Sequence, residues 1–281
     1  VQVVDFQSTE HGFPFFVMEL LEGEDLRRRL RREGPQSLVK AASVTRQVAL
    51  ALCAAHNEGV IHRDLKPENI FLARRNAGGE VAKVLDLGLS KVMLSVTMAT
   101  QEGQVLGTPN FMAPEQARGR NREVDPRTDI FALGLVLYNM LSGQMPFSAK
   151  NLPALLYKVV HEQPRPLAEF RGDLPPALIA LVERATAKDR EDRHASADEL
   201  LADLAASLGS RWQDVLLLEV TGAPAVREAN EPTLNAVQGP QPAPPSPRPP
   251  RGGKLMGATS LALIVLLVCM GGWLAYHHLS G

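Results

Sequence analysis

The chain has 281 residues, 45 % of them hydrophobic, and a formal net charge of -1. That is enough for one large domain or two small ones, and it lacks the basic excess that nucleic acid attracts. Two cysteines, Cys53 and Cys269, form neither a disulfide framework nor a zinc site, so the globular part reads as cytosolic. The chain opens on VQVVDF, without initiator methionine or leader, and reads as a fragment starting in mid-fold. Val1 to Phe6 predicts a strand, Ser8 to Gly12 a turn and Phe13 to Leu21 a second strand. Glu22-Gly23 breaks that strand. Glu24 to Arg32 predicts a short charged helix whose acidic start and basic end suit its dipole.

Ser37 to Glu58 carries apolar and small residues at three- and four-residue spacing, which predicts a long, closely packed helix, and Gly59 sits where it would end. Ile70 to Leu72 and Val81 to Leu85 predict two short strands joined by a turn at Asn76 to Gly79. From Ser90 to Gly107 the periodicity fails, and a long irregular loop of this kind is usually functional. Pro114 opens a short helix, and Thr128 to Leu141 predicts a core helix. Leu152 to His161, Pro175 to Ala187 and Ser196 to Ser207 predict three more. Val215 to Val220 is compatible with a strand or a buried helical turn. Residues 239 to 253 are a proline-rich linker. Leu255 to Tyr276 is uncharged over 22 residues, a length that crosses a bilayer. Arg248, Arg251 and Lys254 before it, and Trp273 and Tyr276 near its far end, orient the globular part to the cytoplasm.

Between these elements lies IHRDLKPEN, Ile61 to Asn69, followed by Asp86-Leu87-Gly88. Carboxylates, an amide and cations this close together are rarely needed by a buried core. They suit phosphate and magnesium, because magnesium takes hard oxygen ligands and phosphates need nearby positive charge. Three residues such as Asp-Leu-Gly, taken alone, are a commonplace turn.

The ordered set of motifs resembles the catalytic lobe of the eukaryotic-like serine/threonine protein kinases, specifically the bacterial membrane-anchored kind, from Val1 to about Leu208. The resemblance implies ATP and Mg2+ as cofactors. It makes Asp64 the base that accepts the proton of a Ser or Thr hydroxyl, Lys66 a contact of the transferring phosphate, and Asn69 and Asp86 the magnesium ligands. The family triplet Asp-Phe-Gly is here Asp-Leu-Gly. FFVMELLEGEDL resembles the hinge, with Met18 as gatekeeper and Glu19 to Leu21 offering backbone hydrogen bonds to adenine. Arg63 implies control by phosphorylation of the following loop, with Ser95, Thr97 and Thr100 as acceptors. Gly107-Thr108-Pro109 and Ala113-Pro114-Glu115 resemble the platform for a protein substrate. Glu115 is expected to pair with Arg193, and Asp129 to hold the catalytic-loop backbone or cap its helix.

The expected fold class is α+β and protein kinase-like. It comprises mainly the helical C-terminal lobe, a remnant of the N-lobe sheet and one C-terminal transmembrane helix. The expected parts are N-lobe strands and hinge at 1–21, C-lobe at 22–208, juxtamembrane segment and linker at 209–254, membrane helix at 255–276 and an outer tail at 277–281. Implied partners are proteins with Ser/Thr acceptors, the membrane, and a second copy for autophosphorylation; nucleic acid is not among them. No G-x-G-x-x-G occurs in the chain, and no lysine stands where a phosphate-clamping strand lysine is expected. The 281 residues alone are therefore expected to transfer phosphate poorly, and the full-length parent to be active. A non-catalytic scaffold and a small-molecule phosphotransferase are the competing readings.

Overall fold

The computed structural model describes residues 1, 3–9, 14–75, 78–86 and 109–221. The expected loop hydroxyls Ser95, Thr97 and Thr100, the residues Gly88, Gly107 and Thr108, the linker and the apolar run at 255–276 lie outside them. The described residues fall into two units, 3–19 and 20–221 with Val1. The first is an antiparallel hairpin of β1, Val3–Ser8, and β2, Pro14–Met18. β1 runs on to Ser8, beyond the predicted Phe6, and β2 ends at Met18, short of the predicted Leu21, because pairing register and not composition sets where a ladder ends.

The second unit begins with β3, Gly23–Asp25, and α1, Leu26–Glu33. The expected break at Glu22-Gly23 is corrected here. Gly23 pairs with Ala73 and Glu24 with Leu72, so the segment adds a third strand to the β4–β5 hairpin, Ile70–Arg74 and Glu80–Val84. Gly23 has φ 149°, and a Cβ there would stand 2.0 Å from the Leu72 carbonyl oxygen, so only glycine allows the strands to approach. The acidic residues expected to open the helix precede it. Asp25 caps α1 by accepting from the Arg28 amide at 2.8 Å, satisfying a donor that the first turn leaves orphaned.

α2, Leu38–Asn57, is capped by Ser37 and closes near Gly59, φ 71°. It is long and apolar enough to cross a membrane, yet Val48, Ala49 and Leu52 are fully buried in the core. Its neighbours are α4, Pro126–Ser142, and α7, Ala197–Leu208, with β5 alongside. Every residue of α4 from Thr128 to Ser142 is buried, as a helix apolar on all sides must be. A Cβ on Gly134 would meet Ala185 Cβ at 2.8 Å, which fixes how closely α4 approaches the end of α6, Pro176–Ala185. α3 is Pro114–Ala117 and α5 is Leu152–His161. The ambiguous stretch around Val215 is helical: α8, Trp212–Thr221, buries Val215 and returns against α2. There Glu219 accepts from Ser43 Oγ at 3.3 Å and pairs with Arg46. Burial pushes the Glu219 carboxyl above its ordinary range despite these partners.

Candidate active site

The end of α2 delivers the chain into the segment 61–69. Asp129, 1 % exposed near the start of α4, holds that segment by its backbone. Its Oδ2 accepts from the His62 amide and its Oδ1 from the Arg63 amide, both at 2.8 Å. His56, in the last turn of α2, lies 2.8 Å from the same Oδ2 through Nε2. Arg63 has φ 69°, a conformation costly for a residue with a Cβ, and the two backbone bonds to Asp129 offset that cost. The Arg63 carbonyl accepts from Gln116 Nε2 at 2.7 Å, while Gln116 Oε1 accepts from the Ala113 amide at 3.0 Å. One amide side chain thus ties the segment before α3 to the residue preceding Asp64.

Removing the Asp129 carboxylate strands one buried and one half-buried backbone donor, at about 1–3 kcal/mol each. Asp129→Ala is expected to lower stability by about 2–4 kcal/mol in a urea melt and to speed amide exchange at His62 and Arg63. Exchange at those amides unchanged from the parent would contradict this account.

Asp64, Lys66, Asn69 and Asp86 all belong to the second unit. Lys66 Nζ donates to Asp64 Oδ2 at 2.6 Å. Asn69 Nδ2 donates to the Asp64 carbonyl at 2.7 Å and to Oδ2 at 3.2 Å. The Asp64 side chain remains 51 % exposed, whereas Lys66 is 16 % exposed. Asp86 follows β5 with φ 56° and is exposed. Its neighbour Leu85 is pinned twice: its amide donates to the Asn69 carbonyl at 2.8 Å, and its carbonyl faces His62 Nε2 at 2.9 Å. His62 Nδ1 accepts from the Asp64 amide at 3.3 Å, so the proton sits on Nε2 and is donated to Leu85. These bonds join two segments that sequence separates and set Asp86 next to the Asp64 loop.

The donor set fits magnesium. The Asn69 amide nitrogen is committed to Asp64, so its oxygen could serve as a ligand, and Asp86 could supply a carboxylate from the adjoining segment. Magnesium commonly takes only one or two carboxylates and completes its shell with phosphates and water.

Behind α3, Glu115 and Arg193 form a buried bidentate pair at 3.0 and 2.9 Å. Thr128 Oγ1 donates to the same carboxylate at 2.7 Å. Arg193 spends its remaining protons on the carbonyls of Ala187, Arg127 and Lys188. Burial pushes the Glu115 carboxyl up, but the hydrogen bonds and charge of Arg193 outweigh it and hold the group below its usual range.

Residues 1–204 match the family model described as Protein kinase domain. The chain belongs to the protein kinase family. It is 40 % identical over 211 residues to Serine/threonine-protein kinase pkn3 of Myxococcus xanthus, covering 73 % of this chain and 38 % of that protein. It is 41 % identical over 196 residues to Probable serine/threonine-protein kinase CE0033 of Corynebacterium efficiens, covering 68 % and 29 %. The chain thus spans well under half the length of these curated relatives. Among solved structures it resembles the Mycobacterium tuberculosis PknI kinase domain, with TM-score 0.54 and 25 % identity over 73 % of this chain and 71 % of that one.

Within this kinase fold, Met18 ends β2 and Glu19 follows it in the hairpin unit, while Leu21 belongs to the second unit, two residues before β3. The pairing of Glu115 with Arg193 and the grip of Asp129 on the loop both agree with expectation. His56, Gln116, Thr128 and the Leu85 backbone are functional neighbours that sequence reasoning missed. His56 carried a faint signal, a polar side chain on the buried stripe of α2. Nothing local links Gln116 to Arg63, 53 residues earlier.

Proposed function

We propose that this domain serves an ATP-dependent protein serine/threonine kinase. The acceptor hydroxyl oxygen forms a bond to the γ-phosphorus, the bond from that phosphorus to the ADP oxygen breaks, and the hydroxyl proton passes to Asp64. Lys66 places positive charge where negative charge spreads over the transferring oxygens. Asn69 and Asp86 would hold magnesium, which when bound neutralises phosphate charge. Met18, Glu19 and Leu21 would line the adenine end. The observation that carries the reading is the double pinning of Leu85, because it sets Asp86 beside the loop that bears Asp64, Lys66 and Asn69.

Arg63 makes no ion pair among the described residues. This supports its pairing with a phosphate on the following loop, at Ser95, Thr97 or Thr100. The uncharged run 255–276 and the cations before it support a single membrane span with the kinase domain in the cytoplasm. The activity is proposed for the full-length protein, since the chain spans well under half the length of its curated relatives.

The test is phosphate transfer from labelled ATP by the full-length protein with magnesium, followed by phosphoamino-acid analysis. Label is expected on serine or threonine and absent from tyrosine. Asp86→Ala is expected to weaken magnesium-dependent binding of a non-hydrolysable ATP analogue by about tenfold or more, the scale of one lost charge-assisted contact. Transfer undiminished in Asp86→Ala would refute the assignment, and a protein that binds partners but never transfers phosphate would establish the scaffold reading.

A further inference from the structure

A cleft of about 760 Å³ lies where β3, α1 and the β4–β5 hairpin meet. Arg29, its side chain only 10 % exposed, forms part of the wall. Its guanidinium is committed, with Nε on Glu24 Oε1 at 2.8 Å, Nη1 on Glu80 Oε2 at 2.9 Å, and Nη2 on Glu80 Oε1. Arg32 shares Glu24 and lies 3.0 Å from Glu33. The hydrogen bonds from Arg32 and Arg29 hold the Glu24 carboxyl down at about 2, so it stays an anion committed to them.

The carboxylates of the cleft are therefore consumed by two arginines. Three further guanidiniums line the same space: Arg28 and Arg31 from α1, and Arg74 from the end of β4. All three are exposed, and none makes an ion pair or side-chain hydrogen bond among the described residues. Arg28 and Arg31 stand three residues apart, on one face of the helix, and Arg74 arrives from a different element. Like charges converging from two elements repel one another unless an anion is placed among them. None of these residues takes part in the phosphate transfer proposed above.

We propose that this cleft docks a short peptide segment bearing phosphorylated or clustered acidic side chains. Guanidinium forks match phosphomonoester and carboxylate oxygens bidentately. The interleaved carboxylates of Glu24 and Glu80 would repel a continuous anionic surface or a nucleic-acid backbone. A short segment with spaced anions avoids them and fits a concave site. The cleft is thus a docking point for a protein partner, apart from the residues that would handle the acceptor hydroxyl.

The experiment is fluorescence anisotropy on the full chain. The probes are a labelled peptide with one phosphothreonine among aspartates, its unphosphorylated twin, and a lysine-rich control. The phosphorylated peptide is expected to bind, increasingly weakly as salt rises, and the control is expected not to bind. Binding of the phosphorylated form alone assigns a phosphomonoester, and binding of both acidic forms assigns carboxylate clusters. Arg28→Gln and Arg31→Gln are each expected to weaken binding about tenfold, and Arg165→Gln, on a separate surface, to leave it unchanged. The triple variant with Arg74→Gln is expected to keep the parent urea midpoint, since no partner is lost; should it unfold, the single variants decide. Absence of saturable binding by either acidic peptide, or equal affinity in the variants, overturns the proposal. So does binding to phosphatidylserine vesicles that needs these arginines while peptide binding does not, which would assign the cleft to a membrane.

Discussion

Asp64→Asn in the full-length protein is expected to lower kcat by about 10²–10⁴-fold, the range for a positioned acid or base, with KM for ATP nearly unchanged. The substitution keeps shape and removes the group that takes the proton. The loop should survive it, because its path is set by backbone bonds. Asp129 holds the His62 and Arg63 amides, and Asn69 holds the Asp64 carbonyl. The Asp64 side chain is also half exposed, so little burial energy depends on it. A fall in kcat without a change in KM marks an interaction made only in the transition state. Steady-state kinetics with the melting temperature measured in parallel separates this from unfolding. Parent-like kcat in a folded Asp64→Asn protein would remove Asp64 from the chemistry.

Arg193→Ala is expected to cost about 3–5 kcal/mol, as breaking a buried ion pair commonly does. That is a large part of the roughly 5–15 kcal/mol by which domains are stable. The cause is what the substitution leaves behind: the Glu115 carboxylate buried without its countercharge, and the Arg127, Ala187 and Lys188 carbonyls without their donor. The pH dependence carries a sign. In the parent, Glu115 titrates below its unfolded range, so its contribution is complete above that range and is lost as pH falls through the folded value. Without Arg193, only the Thr128 hydroxyl and a backbone hydrogen bond oppose burial, which is expected to raise the carboxyl above its unfolded range, so protonation relieves the variant. The deficit should therefore be largest at neutral pH and shrink as pH falls through the carboxylate range. Urea denaturation at several pH values reads this directly. A second variant with Glu115→Leu added is expected to recover part of the loss, since removing both charges costs less than stranding one. A deficit independent of pH would show that packing, and not charge, is what Arg193 provides.

Much of the helical body is legible in the sequence. α5 matches its expected span at both ends, and α2 is framed by Ser37 and Gly59 as its cap chemistry requires. Such features rest on neighbours within one or two turns, which sequence displays directly. The loop from His62 to Asn69 was legible for a related reason: its chemistry is contiguous. β3 was not legible, because three residues gain strand geometry only by pairing with β4, nearly fifty positions away. The helix at Val215 was one of two readings left open, since an apolar stretch so short takes its state from the surface it packs on.

Sequence alone therefore determined which groups are present: the carboxylates of Asp64 and Asp86, the Lys66 ammonium, the Asn69 amide, and the helices that carry the core. Tertiary structure decided how they are brought together. It placed Arg63 and Asp86 at positive φ, used Asp129 and Gln116 to hold the strained turn, and joined Asn69 to Leu85 across strands. It also gathered unpaired arginines from α1 and β4 around one cleft. Hydrogen bonds between segments far apart in sequence depend on register and packing, which exist only once the chain has folded.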